Sequence, residues 1–424
     1  MAEKRDVLDD IIDFQQDWQK VRNPLGNVAD QLMADPDDVP RYNPSDYKDR
    51  PRVSTNNCLR LSSGKDVCNR CLDVCPVHAI SFEGDTINLA DNCRKCGLCI
   101  AACPTETFMA ARQMTRKLYD QIARVASTYE QCYVTCTRAL GRLPKDNEVL
   151  LPCVGVIPRE LWFALLADYG NISVYLPLGI CDKCRTTTGE EAFSDAIATA
   201  EEHTHEHVGL EVDEGALTHE QSRAFKRKQF VSNMAQAGTQ LIARGTPLAG
   251  AQAVANRIAA HTKQINDLQR SLEQLTGVKN AQSRRRILTQ KRKAVLAALQ
   301  SHPSLAQSFT WKVPVCDTSR CTMCGDCSKA CVQHACALDE GGRFSVEPTY
   351  CLNCGVCAEV CPEGALTMEA IDPKKMVIPD PAKEKAEQQK AQLEATKKKT
   401  KKTLDTSLKA LETFADELGK EYKK

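Results

Sequence analysis

The run CRKCGLCIAACP, residues 93–104, determines the architecture of this chain. Its four cysteines follow the spacing C-x2-C-x2-C-x3-C, and a proline comes directly after the last of them. A second run with the same spacing, CLNCGVCAEVCP, covers residues 351–362. Three cysteines, with two residues between each and the next, wrap a short loop around one face of a cubane cluster. The fourth cysteine lies a turn further on and reaches a neighbouring cluster. The spacing therefore predicts paired iron–sulfur sites.

Each of these runs is preceded by a related run. The run CTMCGDCSKAC, residues 321–331, keeps the spacing but has Val332 at the position of the proline. In the earlier copy, a nine-residue insertion separates Cys58 from the closely spaced Cys68, Cys71 and Cys75. The two runs of a block are 18 residues apart in the first block and 20 in the second, counted from last to first cysteine. The sequence thus contains a repeated domain.

Both blocks resemble bacterial two-cluster ferredoxins, over residues 54–112 and 312–370. In that family the fourth cysteine of each run ligates the other cluster. The resemblance implies four [4Fe–4S] clusters, held by four cysteine sets that we call sets A to D. Set A is Cys58, Cys68, Cys71 and Cys103; set B is Cys75, Cys93, Cys96 and Cys99; set C is Cys321, Cys324, Cys327 and Cys361; set D is Cys331, Cys351, Cys354 and Cys357. Structural zinc is the alternative, although zinc sites typically use paired C-x2-C motifs well apart.

Two further cysteines of the second block stand outside these sets. Cys336 aligns with Ile80 of the first block, so we interpret it as a small buried core thiol. Cys316 is the candidate for an alternative ligand, as a counterpart of the displaced Cys58. Val332 leaves a backbone N–H that proline would lack, and we hypothesise that this N–H donates to a cluster sulfur.

Composition restricts the class of protein. The chain has 23 cysteines in 424 residues, whereas disulfide scaffolds are short and secreted. The opening MAEKRDVLDD has no apolar stretch typical of a secretory signal, and no segment approaches 18 apolar residues. We therefore expect a reducing, cytoplasmic location without a transmembrane segment. The formal charge of +1 provides no overall field that would attract nucleic acid.

A middle block of cysteines lies between the two repeated blocks. CYVTC (132–136), EVLLPC (148–153) and ISVYLPLGI (172–180) are typical of strands, and PRELWFALLADYG (158–170) of a helix. Strands that alternate with a helix predict a small parallel α/β sheet, whose sites lie at the carboxyl ends of the strands. We expect the cysteines to converge there and bind metal: Cys132, Cys136, Cys153, Cys181 and Cys184.

The motifs CYVTC, PCVG and CDKC give this block a resemblance to the delta subunit of methyl-viologen-reducing hydrogenases and to its fused relatives beside heterodisulfide reductase. In that family the cysteines bind a [2Fe–2S] cluster, which the resemblance therefore implies here. One alternative is a zinc site built from four of the five cysteines. Another is a dithiol, Cys181 and Cys184, that cycles to a disulfide, with Lys183 and Arg185 favouring the thiolate.

These features predict an α+β multidomain chain with two ferredoxin-like dicluster domains, a small parallel α/β domain, a helical linker and a helical tail. Within the linker, the basic run at residues 284–293 is typical of a solvated helix face. The predicted segments are an N-terminal arm (1–53), ferredoxin domain 1 (54–112), the α/β redox domain (127–190), the linker (191–311), ferredoxin domain 2 (312–370) and a charged tail (381–424).

The sequence favours an iron–sulfur electron-transfer subunit, similar to a polyferredoxin, that relays single electrons to or from a catalytic partner. Expected partners are flavin-containing or heterodisulfide-reductase-like subunits, with a soluble ferredoxin or a hydrogenase as further classes. We find no nucleotide-binding glycine motif and no Ser/His/Asp arrangement for turnover of an organic substrate. The alternatives are a thiol–disulfide oxidoreductase that uses Cys181 and Cys184, and a zinc-binding structural protein.

Overall fold

The computed structural model describes residues 42–226, 259–268, 272, 286–339 and 341–379. The described residues up to Val377 belong to one compact unit, and the last two described residues belong to a second one. Residues 1–41 of the N-terminal arm, a large part of the helical linker and the whole predicted tail therefore lie outside the described residues.

Short helices and strands alternate along the described chain. None of these helices combines the length and the apolar character that crossing a bilayer requires. The helices are α1 (Leu59–Ser63), α2 (Arg70–Asp73), α3 (Leu98–Ala102), α4 (Thr115–Thr128), α5 (Thr137–Leu140), α6 (Arg159–Asp168), α7 (Gly189–Thr204), α8 (Gln290–Ser301), α9 (Asp326–Ala330) and α10 (Val356–Glu359). The strands are β1 (Arg52–Val53), β2 (Ile80–Glu83), β3 (Thr86–Leu89), β4 (Phe108–Met109), β5 (Cys132–Cys136), β6 (Glu148–Leu151), β7 (Ile172–Tyr175), β8 (Gly209–Glu211), β9 (Lys312–Cys316), β10 (Cys336–Leu338), β11 (Phe344–Val346) and β12 (Leu366–Ala370).

The first ferredoxin-like domain contains two antiparallel strand pairs, β1 with β4 and the hairpin β2–β3. In β2 the side chains alternate, so that Ile80 and Phe82 face the core while Ser81 and Glu83 are exposed. Gly84 has a φ of 56°, a left-handed conformation that suits the tight turn to β3. The same apolar core includes cysteines of sets A and B.

The second ferredoxin-like domain repeats this arrangement, with β9 paired to β12 and the hairpin β10–β11. Cys336 opposes Val346 in this hairpin, as Ile80 opposes Leu89 in the first one. Both Cys336 and Ile80 are buried, at 4% and 5% exposure. The alignment of Cys336 with a buried aliphatic residue is therefore confirmed.

Strand register also identifies the counterpart of Cys316. Cys316 opposes Leu366 at the end of β9, and Val53 opposes Phe108 at the end of β1. Cys316 therefore corresponds to Val53, and its expected correspondence to Cys58 is wrong. The reason is that Cys58 lies five residues beyond its strand, where the second domain has the first cysteine of set C.

The middle domain is built on a parallel sheet with the strand order β6–β5–β7–β8. The first three strands lie where the sequence predicts them, and every residue of these strands is buried. The fourth strand, Gly209–Glu211, was expected to be part of a helical linker. Three residues are too few for a recognisable hydrophobic period, so the middle domain extends beyond the predicted boundary at residue 190.

The order of strands fixes where a site can form in this sheet. The chain passes from β5 outward to β6 and then returns across β5 to β7. Strands β5 and β7 are therefore neighbours, and the connection after β5 leads to one side of the sheet while the connection after β7 leads to the other. Binding sites of open parallel sheets lie outside the carboxyl ends of strands at such a position. Cys136 ends β5 at this edge.

Helix α6 forms the centre of the helical packing. It follows Pro158 and ends before Gly170, as predicted. Leu161, Trp162 and Leu165 are fully buried, because α7 and α8 both pack against this helix. Helix α8 thereby connects the middle domain to both ferredoxin-like domains, which its first turn contacts.

Candidate functional site: four cysteine sets and a middle set

The cysteines of sets A and B come together in the first ferredoxin-like domain. Burial, and then the nearby thiols of Cys103, Cys68 and Cys58, raise the pKa of Cys71 to about 12. These four residues are set A. Such crowding disfavours free thiolates, and a cationic cluster core would remove that repulsion.

Set B is grouped in the same way. The pKa of Cys99 is raised by burial and then by neighbouring thiols, three of which belong to set B. These neighbours are Cys96, Cys93 and Cys75, and the fourth is Cys71 of set A. Sets A and B therefore lie beside each other, and each contains one cysteine from the other run.

Sets C and D show the same grouping in the second domain. All four cysteines of set C line one small cavity, and all four of set D line another. Burial raises the pKa of Cys327 in set C to about 11, and the Cys357 thiol of set D adds to this shift. Sets C and D are therefore neighbours as well.

Backbone N–H groups point at the fourth cysteine of three runs. The N–H of Ala79 donates to Cys75 Sγ, that of Thr107 to Cys103 Sγ and that of Ala365 to Cys361 Sγ, each at 3.3 Å. The residue before each donor has a left-handed backbone conformation, which turns the N–H of the donor back towards the sulfur. These residues and their counterpart in the remaining run are His78, Glu106, Gly364 and His334, with φ of 48–56°.

The remaining run differs in its sulfur donors. Backbone groups of Gln333, Ala335 and Cys336 hydrogen bond to Cys331, and the Cys336 thiol does so too. Val332 is buried against Leu59 of the other ferredoxin-like domain. The N–H groups on the Cys331 sulfur therefore come from residues after Val332, and our hypothesis for the Val332 N–H has no support here.

The insertion after Cys58 connects the two ferredoxin-like domains. It forms α1, whose first residue, Leu59, packs with Ala330, Val332 and Val356 of the second domain. Ser62 Oγ also donates to the carbonyl of Ala330 at 3.1 Å. Next to Leu59, Cys68 of set A lines the same cavity as Cys351 and Cys354 of set D. The insertion thus brings set A next to set D.

The two additional cysteines both contact a cluster set. The Cys336 thiol hydrogen bonds to Cys331 and Cys357, two members of set D. Cys316 hydrogen bonds to Cys321 and lines the cavity of set C. Cys336 is thus a buried core thiol, as predicted, that also neighbours set D, and Cys316 lies where an alternative ligand of set C would have to lie.

Four of the five middle-block cysteines meet at the carboxyl end of the sheet. They line one cavity, and we call them the middle set: Cys136, Cys153, Cys181 and Cys184. Cys132 is fully buried at the other end of β5, where its Sγ is 3.9 Å from the carbonyl of Ile122. Four residues of strand span about 13 Å, so Cys132 cannot join the others. Its expected role as a metal ligand is therefore wrong.

The Cys181–Cys184 pair lacks the electrostatics of an activated dithiol. The pKa of Cys181 is raised to about 11, first by burial and then by Glu190, Cys136 and Cys184. Reactive thiols have lowered pKa values, so the expected activation by Lys183 and Arg185 is not found. This shift speaks against the thiol–disulfide alternative.

The middle set lies directly beside set B. Cys93 and Cys96 of set B line the same cavity as the middle set. Consistent with this proximity, Cys96 contributes to the raised pKa of Cys153, which is about 12 and is due mainly to burial. The middle domain and the first ferredoxin-like domain therefore share one cysteine-lined space.

Among the described residues, no group of three or more His, Cys, Asp or Glu side chains could hold a single metal ion. Cluster ligands are arranged differently, because the four cysteines of a cubane bind four different iron atoms. The absence of such a group therefore concerns a single-metal site such as zinc and leaves the assignment of clusters to sets A to D open.

Comparison with known families agrees with the repeat. Residues 66–107 and 320–365 each match the family model described as a 4Fe-4S dicluster domain. No curated protein and no solved structure matches the chain. The chain therefore contains two dicluster ferredoxin domains, each of which binds two [4Fe–4S] clusters, and it has an iron–sulfur electron-transfer role.

Proposed function

We propose that each of the sets A to D holds one [4Fe–4S] cluster, with the fourth cysteine of every run serving the neighbouring set. The donor set supports this assignment, because each group consists of four close cysteines. The backbone N–H groups at 3.3 Å from three of these sulfurs support it further. When bound, such clusters accept and release single electrons at potentials set by burial and by hydrogen bonds to sulfur.

The observation that carries the function is that the cysteine sets form one continuous row. The middle set and set B share a cavity, and sets A and B are neighbours in the apolar core of one domain. Sets A and D share a second cavity, and sets C and D are neighbours in the other domain. The order is middle set, B, A, D, C. We infer that single electrons pass along this row between a partner at each end.

We assign a [2Fe–2S] cluster to the middle set, following the resemblance to the hydrogenase delta subunit. The ligands would be Cys136, Cys153, Cys181 and Cys184, without Cys132. Zinc is kept only as an outcome of the metal analysis below, because no group of three or more such side chains among the described residues could hold a single metal ion. The position of this set at one end of the row favours the redox-active centre.

The end of the row at the middle set has a basic rim, which fits an acidic one-electron carrier such as a soluble ferredoxin or flavin protein. The charged residues that line this cavity are Lys48, Arg94, Arg138 and Arg185, against Asp91 and Glu190. Arg138 and Arg185 are exposed. We propose this rim as the docking site of such a carrier, which passes electrons to or from a catalytic oxidoreductase subunit.

Reversing charges on this rim should slow electron transfer. For Arg138→Glu/Arg185→Glu, we expect the rate constant with a reduced acidic ferredoxin to fall about tenfold at low salt. Added salt should reduce the difference, since it screens the attraction. Stopped-flow absorbance measures the rate. Arg343→Glu, an exposed change directly before β11, is the control, and equal rates for all three proteins would refute the docking site.

Iron quantitation tests the cofactor assignment. Anaerobically purified protein should contain about sixteen irons in four cubanes, and about two more if the middle set holds [2Fe–2S]. Acid-labile sulfide should match the iron, and EPR of the reduced protein should show interacting [4Fe–4S] signals. Iron well below sixteen would contradict the four-cluster assignment, whereas sixteen irons with one zinc would favour zinc in the middle set.

A further inference from the structure

Two adjacent basic residues at the start of α8 each reach into a different ferredoxin-like domain. Lys291 is 2% exposed, and its Nζ donates to the carbonyls of Ile100, Ala101 and Cys103 at 2.7, 2.6 and 2.7 Å. Cys103 belongs to set A. The ammonium group thus lies at the end of α3, against the backbone of a cluster ligand. The prediction that this basic run is a solvated helix face is wrong for Lys291.

Arg292 makes the corresponding contacts with the second domain. Its Nε donates to the carbonyl of Thr349 at 3.0 Å, and its Nη2 donates to those of Pro348 and Cys351 at 3.2 and 3.0 Å. The guanidinium also lies over the Trp311 ring, 4.9 Å from its centroid. Cys351 belongs to set D. Lys291 therefore donates to the backbone carbonyl of a cysteine of set A, and Arg292 to that of a cysteine of set D.

The start of α8 is held firmly in this position. The Glu106 carboxylate accepts the backbone N–H groups of Gln290 and Lys291 at 3.0 and 2.9 Å. The Thr289 hydroxyl accepts the N–H of Arg292 at 3.2 Å and caps the helix. Basic residues in the first turn oppose the helix dipole, so this placement needs a favourable interaction elsewhere.

Within the described part of the chain, no carboxylate lies within ion-pair distance of Lys291 or Arg292. Removing a cation from water is costly unless an opposite charge compensates it. Clusters ligated by four thiolates are anionic and become more negative on reduction. Glu106 lies beside the start of α8 and Glu160 acts electrostatically on Arg292, although neither carboxylate is within ion-pair distance of these two cations. Sets A and D, whose ligand carbonyls Lys291 and Arg292 contact, therefore offer a further source of compensation.

We propose that Lys291 and Arg292 act as counter-charges for the clusters of sets A and D, and raise the reduction potentials of these two clusters. A nearby positive charge favours the more negative, reduced state. This inference rests on the proposed function, which places clusters in these sets. Sets A and D are inner neighbours in the row, so both charges would act on the clusters at the junction of the two ferredoxin-like domains.

Set C offers a natural contrast. Lys329 Nζ lies 3.5 Å from the carbonyl of Cys324, but its side chain is 71% exposed and pairs with Asp326 at 3.1 Å. Solvent and the carboxylate screen this charge, so it should influence its cluster weakly. Lys329 is therefore a matched control for Lys291.

The test is an EPR-monitored redox titration of the full chain, with iron analysis of every sample. In Lys291→Gln we expect one of the four cubane reduction steps to become at least tenfold less favourable, a fall of about 59 mV for one electron. Arg292→Gln should lower a different step by a similar amount, and the double variant should lower both. Lys329→Gln should change each step by less than about threefold.

Two comparisons make the result decisive. Lys291→Arg and Arg292→Lys keep the charge and should keep all four potentials, so shifts as large as those of the glutamine variants would overturn the proposal. Unchanged potentials in the glutamine variants with full iron content would also overturn it. A wild-type protein without four cubanes would instead refute the proposed function, and iron analysis distinguishes that failure from the others.

Discussion

Cys136→Ala is expected to abolish metal binding by the middle set, whereas Cys132→Ala, four residues earlier in the same strand, leaves it intact. Cys136 lies at the carboxyl end of β5 and shares a cavity with Cys153, Cys181 and Cys184. Cys132 is at the opposite end of β5 and is fully buried. Metal analysis of the purified variants should show a loss of about two irons, or of one zinc, only for Cys136→Ala.

The pair of variants separates ligation from folding. Both replace a buried thiol in one strand by the same small side chain, so each should destabilise the sheet by about 1–2 kcal/mol. Iron in the cubanes should be unchanged in both. Loss of the middle metal in Cys132→Ala, or its retention in Cys136→Ala, would mean that the ligands are not the four cysteines of the middle set.

The spacing of the cysteines, together with the resemblance to two-cluster ferredoxins, predicts the grouping into sets A to D. Each run places three cysteines around one site by local geometry alone, and its repetition supplies the fourth from the neighbouring run. Local patterns also located β5, β6, β7 and α6, because these elements are long enough to show a period or a continuous apolar run. The parallel sheet followed from their alternation with a helix.

The sequence did not predict features that depend on the direction of a strand in the sheet, on strand register or on contacts between residues far apart in the chain. The motif CYVTC contains two cysteines, and only the direction of β5 in the sheet separates Cys132 from Cys136. Strand register, rather than position before the run, identified Cys316 with Val53. Lys291 contacts a carbonyl 188 residues earlier in the chain, which no local charge pattern can indicate.

Leu59→Asp is expected to loosen the α1 contact between the two ferredoxin-like domains without removing a ligand. Leu59 is 5% exposed and packs on Ala330, Val332 and Val356 across the domain contact. A carboxylate there would be buried among apolar side chains, which should weaken the contact by about 3 kcal/mol. Because this contact places set A beside set D, electron transfer between the domains should slow at least tenfold.

Stopped-flow reduction with a limiting donor measures this effect, since the slower transfer should split one fast phase into two. Asp66→Asn is the control: Asp66 lies in the same insertion but is 76% exposed and pairs only with Arg60 among the described residues. Leu59→Ala should give an intermediate rate, because it leaves a cavity without burying a charge. A single fast phase in Leu59→Asp with full iron content would mean that electrons pass between the domains by a route other than the α1 contact, and the order of the row would have to be revised at its centre.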